Sequence, residues 1–103
     1  EVGKMSQEEV HLAVVRRLQY PSRYRGMVEM DLILGSFAKA KLEALSMQQL
    51  QQYDQILRQF DNDLFKWLVM NEEPPKEIGE TDVWKQVVEF AEKNKPELLA
   101  NMH

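Results

Sequence analysis

Apolar residues along this chain recur every three or four positions, and most of the periodic runs lie between a helix-capping signal and a breaker. Ser6-Gln7-Glu8-Glu9 is a capping-box pattern: the serine oxygen can accept from a free N–H of the first turn, and the glutamate can reach back. Val10, Ala13, Val14 and Leu18 follow at helical spacing. Pro21 lacks the N–H that a helix interior needs, so this first helix is expected to end near Tyr20.

After an arginine-rich connection, Ser22 to Gly26, the longest periodic stretch begins. Met27, Met30, Leu34, Phe37, Lys41 and Leu45 step by threes and fours, and Val28, Ile33 and Leu42 widen the stripe. The spacing predicts a helix from about Gly26 to Ala44, roughly 28 Å long. Gly35 inside it costs ~1 kcal/mol of propensity relative to alanine, which points to close approach of a neighbouring helix. Ser46-Met47-Gln48-Gln49 is a second capping-box pattern, and Leu50, Tyr53, Ile56, Leu57 and Phe60 make a third helix. Asp61 or Asn62 can cap a fourth, with Leu64, Trp67 and Leu68 inward, before Pro74-Pro75 links it onward. Thr81 can cap a fifth, carrying Trp84, Val87, Val88 and Ala91 and bounded by Pro96. No alternating β-branched run occurs between turn signals, and there is no internal repeat. The expected fold is all-α: one compact, five-helix, bundle-like domain over residues 1–103, loosely ordered at 1–5 and 96–103.

Composition narrows the function classes. A chain of 103 residues supports one core without a staple. It contains no cysteine, which excludes disulfides, zinc–thiolate sites, iron–sulfur ligation and thiol catalysis. No apolar run reaches the ~18 residues of a membrane helix, so membrane insertion is not expected. The chain opens on Glu1 rather than Met, and we expect an upstream piece, a targeting segment included, to be missing. The net charge of −4 argues against nucleic acid. It is unevenly spread: Arg16, Arg17, Arg23 and Arg25 lie together without an acid, while residues 72–82 hold Glu72, Glu73, Glu77, Glu80 and Asp82 against Lys76 alone.

Catalytic and ligand-binding chemistry is sparse. His11 stands on a helix without a second nearby ligand, and reads as a surface or boundary residue rather than a metal site; His103 is terminal. No phosphate loop or Gly-x-Gly-x-x-Gly turn is present. Met27, Met30 and Met47, like Trp67 and Trp84, sit at helical spacing and are assigned to packing rather than to a cofactor. Catalytic residues, bound cofactor and metal are all expected to be none.

One segment does not fit a purely structural reading. Arg25 and Glu29 are spaced to share a helix face, yet Arg before Glu is the less favourable order. A cation at a helix start also opposes the macrodipole. Gly26 between them gives up helix propensity, and a missing side chain lets another backbone come close. Helix stability does not account for Arg23, Tyr24, Arg25 and Gly26 together; docking against a polar or anionic protein surface does, with an uncommitted basic turn as the alternative.

The run Arg25-Gly26-Met27-Val28-Glu29-Met30-Asp31-Leu32-Ile33-Leu34-Gly35-Ser36-Phe37 resembles the signature of the succinate dehydrogenase flavinylation factors, called succinate dehydrogenase assembly factor two in mitochondria. Arg25, Gly26, Glu29, Asp31 and Phe37 fill its marked places. Asp61-Asn62-Asp63-Leu64-Phe65-Lys66-Trp67-Leu68 resembles a second block of that family. The resemblance covers about residues 10 to 70, and the part after Pro74 departs from it. It implies a five-helix assembly factor, not an enzyme, that binds the flavoprotein subunit of succinate dehydrogenase and promotes covalent attachment of FAD to a histidine of that subunit. FAD would belong to the partner. Arg23, Arg25, Gly26, Glu29 and Asp31 would form the partner-binding site on a chain that is monomeric when free. The run Tyr20 to Gly26 favours the mitochondrial matrix, with a bacterial cytoplasm as the alternative. The rival functions are a helical adaptor with an unrelated partner, a helix-turn-helix DNA binder, and a toxin-like or metabolic enzyme.

Overall fold

Ser6 and Ser46 both close their capping boxes, accepting from the backbone N–H of Glu9 and Gln49 at 3.1 Å each. The computed structural model describes residues 6–100, and among these it is helical with no strand. The elements are α1 (Gln7–Arg23), α2 (Val28–Lys41) with a 3-10 turn (Leu42–Ala44), α3 (Met47–Leu57), α4 (Asp61–Leu68), α5 (Lys76–Gly79) and α6 (Asp82–Ala100). The expected all-α class is correct. Thr81 caps α6 as expected, taking the Trp84 N–H at 3.1 Å.

The centre of the fold is α2, packed against α1 on one side and α6 on another, with α3 touching both of those outer helices. Met30, Ile33, Leu34, Phe37 and Ala38 of α2 are all buried. Phe37 meets Tyr53 of α3 at a ring separation of 5.5 Å and Phe90 of α6 edge-on at 5.6 Å. Burying one such aliphatic or aromatic side chain contributes about 1.5–3 kcal/mol, so α2 anchors the others. Gly35 does what its propensity cost implied. A Cβ there would lie 3.0 Å from Cγ of Arg23 and 3.8 Å from the Ser22 carbonyl, so the end of α1 rests on the α2 backbone. His11 is a boundary residue, its Nε2 lying 2.6 Å from the Leu45 carbonyl. Trp84 is buried, and half-buried Trp67 packs edge-on against it at 5.9 Å. No helix among the described residues is long and apolar enough to cross a membrane.

Several boundaries differ from expectation. The first helix does not stop at Tyr20 but runs through Pro21 to Arg23. Proline removes only its own N–H, and in the last turn the loss is local; Tyr24 N–H still reaches the Tyr20 carbonyl at 3.0 Å, and tertiary contacts hold the turn. The second helix starts at Val28 rather than Gly26, because the N–H groups of Arg25 and Gly26 bond to carboxylates instead. The third ends at Leu57, which turns Phe60 outward. A short helix, α5, was not anticipated after Pro74-Pro75; the Pro75 carbonyl accepts from Ile78 and Gly79 N–H at 3.0 and 2.8 Å. Pro96 does not bound α6, which continues to Ala100. Residues 96–100 are helical as the end of α6, while residues 1–5 and 101–103 lie outside the described part. Val28 and Met47, assigned to the core stripe and to packing, are exposed because their helices begin at or beside them and the core lies on the other face.

Candidate functional site

The basic connection is a turn pinned from two sides. Its first support is Asp31 in the first turn of α2, whose Oδ1 accepts the Arg25 N–H. Its second is Asp61, which opens α4: Oδ1 accepts from Arg25 Nε at 2.5 Å and Oδ2 from Gly26 N–H at 2.9 Å. Carboxylates in the first turn also suit the positive ends of both helices. The Arg25 guanidinium then donates Nη1 to the Pro21 carbonyl and Nη2 to the Gln59 carbonyl, both at 3.0 Å. Its side chain is only 9% exposed. Arg25 thus closes the end of α1, the end of the α3 segment and the start of α4 onto one guanidinium fork.

This overturns the expectation that Arg25 and Glu29 share a helix face. Arg25 precedes α2, and its ionic partner is Asp61, far along the chain. Asp61 does not act as the cap of the fourth helix. The N-cap position is Phe60, with no side-chain bond, and the Asp61 carboxylate serves the turn.

A second polar group lies in the protein interior. Ser22, fully buried, donates to the Leu18 carbonyl at 2.7 Å and shares a 2.7 Å hydrogen bond with the Tyr53 hydroxyl. The Leu34 carbonyl lies 3.4 Å from the same hydroxyl. Burial pushes the Tyr53 phenol far above its usual range, against the smaller opposing pulls of the Ser22 bond and the Arg25 charge.

The five residues singled out from sequence are brought to one place but not to one task. Arg25 and Asp31 bond within the turn. Arg23 is exposed at the end of α1, Gly26 is exposed, and half-buried Glu29 makes no hydrogen bond or ion pair among the described residues. Gly26 has no positive φ, and a Cβ on it would meet only Asp61 Oδ2, at an ordinary 3.6 Å. The fold itself therefore does not require glycine there.

Sequence reasoning missed Asp61 as the clamp and missed the aromatic surroundings. Tyr20, Tyr24 and Phe60 are 68%, 67% and 79% exposed and border a shallow depression of about 400 Å³, with Arg25, Gly26 and Asp61 in its lining. Two tyrosines four apart, Tyr20 in the last turn of α1 and Tyr24 just after it, were the available signal. Among the described residues no group of three or more His, Asp or Glu is placed to hold a metal.

The clamp joins the two sequence blocks in space: Arg25-Gly26 belongs to the first and Asp61 to the second. A family model described as flavinator of succinate dehydrogenase matches residues 16–91, further toward the C-terminus than the residues that carried the resemblance. The chain is 44% identical over 72 residues to the mitochondrial succinate dehydrogenase assembly factor 2 of Dictyostelium discoideum, covering 70% of this chain and 50% of that protein. With the protein of the same name from Komagataella phaffii it shares 36% identity over 87 residues, 82% of this chain and 46% of the other. With that of Schizosaccharomyces pombe it shares 34% over 82 residues, 80% and 59%. The chain spans about half the length of these relatives. With the family model matched across the turn, its Asp61 clamp and most of α6, the chain belongs to the succinate dehydrogenase flavinator family.

Proposed function

We propose that this chain binds the flavoprotein subunit of succinate dehydrogenase and promotes covalent attachment of FAD to a histidine of that subunit. The family description and the names of the relatives support this reading. The observation that carries it to a particular surface is Gly26: exposed, held by Asp61, and not required by the fold. An incoming backbone can approach such a position closely. Arg23 and Glu29 flank it as polar groups for the partner, while Arg25 and Asp31 act indirectly by fixing the shape of the turn. The contribution is a shift of the partner toward a conformation suited to attachment. The chemistry, the histidine and the FAD belong to the partner, and the chain is a monomer when free. The relatives are named mitochondrial, and we place the activity in the mitochondrial matrix.

The test compares Gly26→Trp and Glu29→Ala with the wild type during co-expression with the flavoprotein subunit. In-gel flavin fluorescence reports covalent FAD, and circular dichroism reports the fold. Covalent flavin should fall about tenfold or more for Gly26→Trp, equivalent to ~1.4 kcal/mol of lost binding, while the melting curve barely moves. Unchanged flavin in both variants would remove the turn from the site. Loss of the effect of the wild-type chain itself would favour an adaptor with an unrelated partner.

A further inference from the structure

Exposed aromatic rings are not distributed evenly over this molecule. Phe37, Tyr53 and Trp84 are buried, whereas Tyr20, Tyr24 and Phe60 stand more than two-thirds exposed around one depression. Each such ring offers ~150–250 Å² of surface that gains by leaving water. The wall they form exists before any partner arrives. Tyr20 and Tyr24 pack together with ring centroids 4.6 Å apart at the end of α1, so little side-chain entropy remains to be lost on binding.

Phe60 is held there at a local cost. It occupies the N-cap of α4 without a side-chain bond. Serine, aspartate or asparagine at that position would satisfy a free N–H of the helix. A phenylalanine that gives up the cap and stands 79% exposed is placed against the preferences of both helix and solvent.

The charges specify the occupant. The two ions that line the depression, Arg25 and Asp61, neutralise each other, so a bulky neutral side chain fits it better than a charged one. Around it the balance is different. From Val10 to Val28 the chain has no acid. Arg16 and Arg17 are exposed one turn before Tyr20 and Pro21, Arg23 is exposed beside Tyr24, and none of the three has an ionic partner among the described residues. A locally positive rim on a chain of net charge −4 favours an acidic counterpart.

We infer that this depression receives one bulky neutral side chain of a flavoprotein segment, with acidic residues on either side of it meeting Arg16, Arg17 and Arg23. The inference rests on the partner proposed above and adds the surface and the chemistry by which that partner is held. Tyr and Arg are the residue types that most often dominate such interfaces, around a desolvated centre.

The experiment measures binding of the full chain to purified flavoprotein subunit by calorimetry, at low and moderate salt, with sedimentation of the free chain alongside. Tyr20→Ala/Tyr24→Ala is expected to weaken binding about ten- to hundredfold. Arg16→Glu/Arg17→Glu should weaken it most at low salt. Phe60→Ser separates binding from folding by sign. It restores a cap, so the melting temperature should rise by about 4–8 °C per kcal/mol gained, while affinity falls about tenfold. Wild-type binding with all three variants within about twofold of it overturns the inference and leaves the proposed function standing. No binding by the wild type overturns both. Self-association of the free chain that the aromatic variants abolish, with flavoprotein binding intact, assigns the depression to a second copy and overturns it as well.

Discussion

Removing the Asp61 carboxylate should loosen the turn that presents Gly26. In Asp61→Ala two acceptors vanish at once, one for Arg25 Nε and one for Gly26 N–H. The charge-assisted bond is worth about 1.5–3 kcal/mol. Gly26 is exposed, so its N–H finds water and adds little. The guanidinium keeps the carbonyls of Pro21 and Gln59, and Asp61 is 19% exposed. Both facts hold the penalty below the ~3–5 kcal/mol of a fully buried orphaned charge. The expected loss is about 2–3 kcal/mol, which for a chain of this size lowers the melting temperature by about 10–20 °C. Thermal and urea unfolding followed by far-ultraviolet circular dichroism measures it. Asp61→Asn keeps one acceptor without the charge and should fall between. Arg25→Met/Asp61→Leu removes both charges together and should recover most of the stability. It should not recover partner binding, because Gly26 N–H stays unpinned. A loss below about 0.5 kcal/mol for Asp61→Ala, or a double variant as unstable as the sum of its singles, would refute the clamp.

Further predictions concern the groups around it. The Tyr53 phenol is raised by burial above its ordinary value of 10.0. Its contribution to stability is therefore complete below that value and is lost at higher pH. Phenolate absorbance in wild type but not in Tyr53→Phe should grow only as the chain unfolds in alkali; ionisation of Tyr53 in the folded state contradicts this. The Glu9 carboxyl is lowered below 4.5, first by the Ser6 N–H bond and then by the Ser6 hydroxyl. The stability it gives α1 is present above 4.5 and fades as pH falls through the depressed value. Amide exchange in the first turn should accelerate there in wild type and be insensitive to pH, beyond the intrinsic rate, in Glu9→Gln. At Gly35, Arg23 and the Ser22 carbonyl lie at 3.0–3.8 Å from a new Cβ. Gly35→Leu should cost about 1–3 kcal/mol by overpacking, despite its gain in helix propensity, and a neutral denaturation midpoint would disprove the close approach.

Much of the fold is local, and that part was legible. The capping boxes at Ser6 and Ser46 and the cap at Thr81 act within one turn, so their residue types announce them. The stripe through Met30, Leu34 and Phe37 follows from helical period alone. The residues around Arg25 and Gly26 could also be singled out, because their order works against a helix start.

What sequence alone could not supply was the destination of each long-range bond. Spacing offered Glu29 as the partner of Arg25, whereas folding brought Asp61 across 36 positions and moved the start of α2 two residues on. Helices α1 and α6 run through Pro21 and Pro96, against local rules that expect a break. Phe60 continues a helical period on paper and faces solvent in the fold. In each case a preference of about 1–3 kcal/mol per residue competes with bonds and burial made elsewhere in the chain. Sequence by itself determined the all-α class, the longer helical segments and most of the residues that lie inside. Tertiary structure decided how the Arg25–Gly26 turn is held and what surrounds it, because charge pairing and exposure depend on which distant groups arrive there.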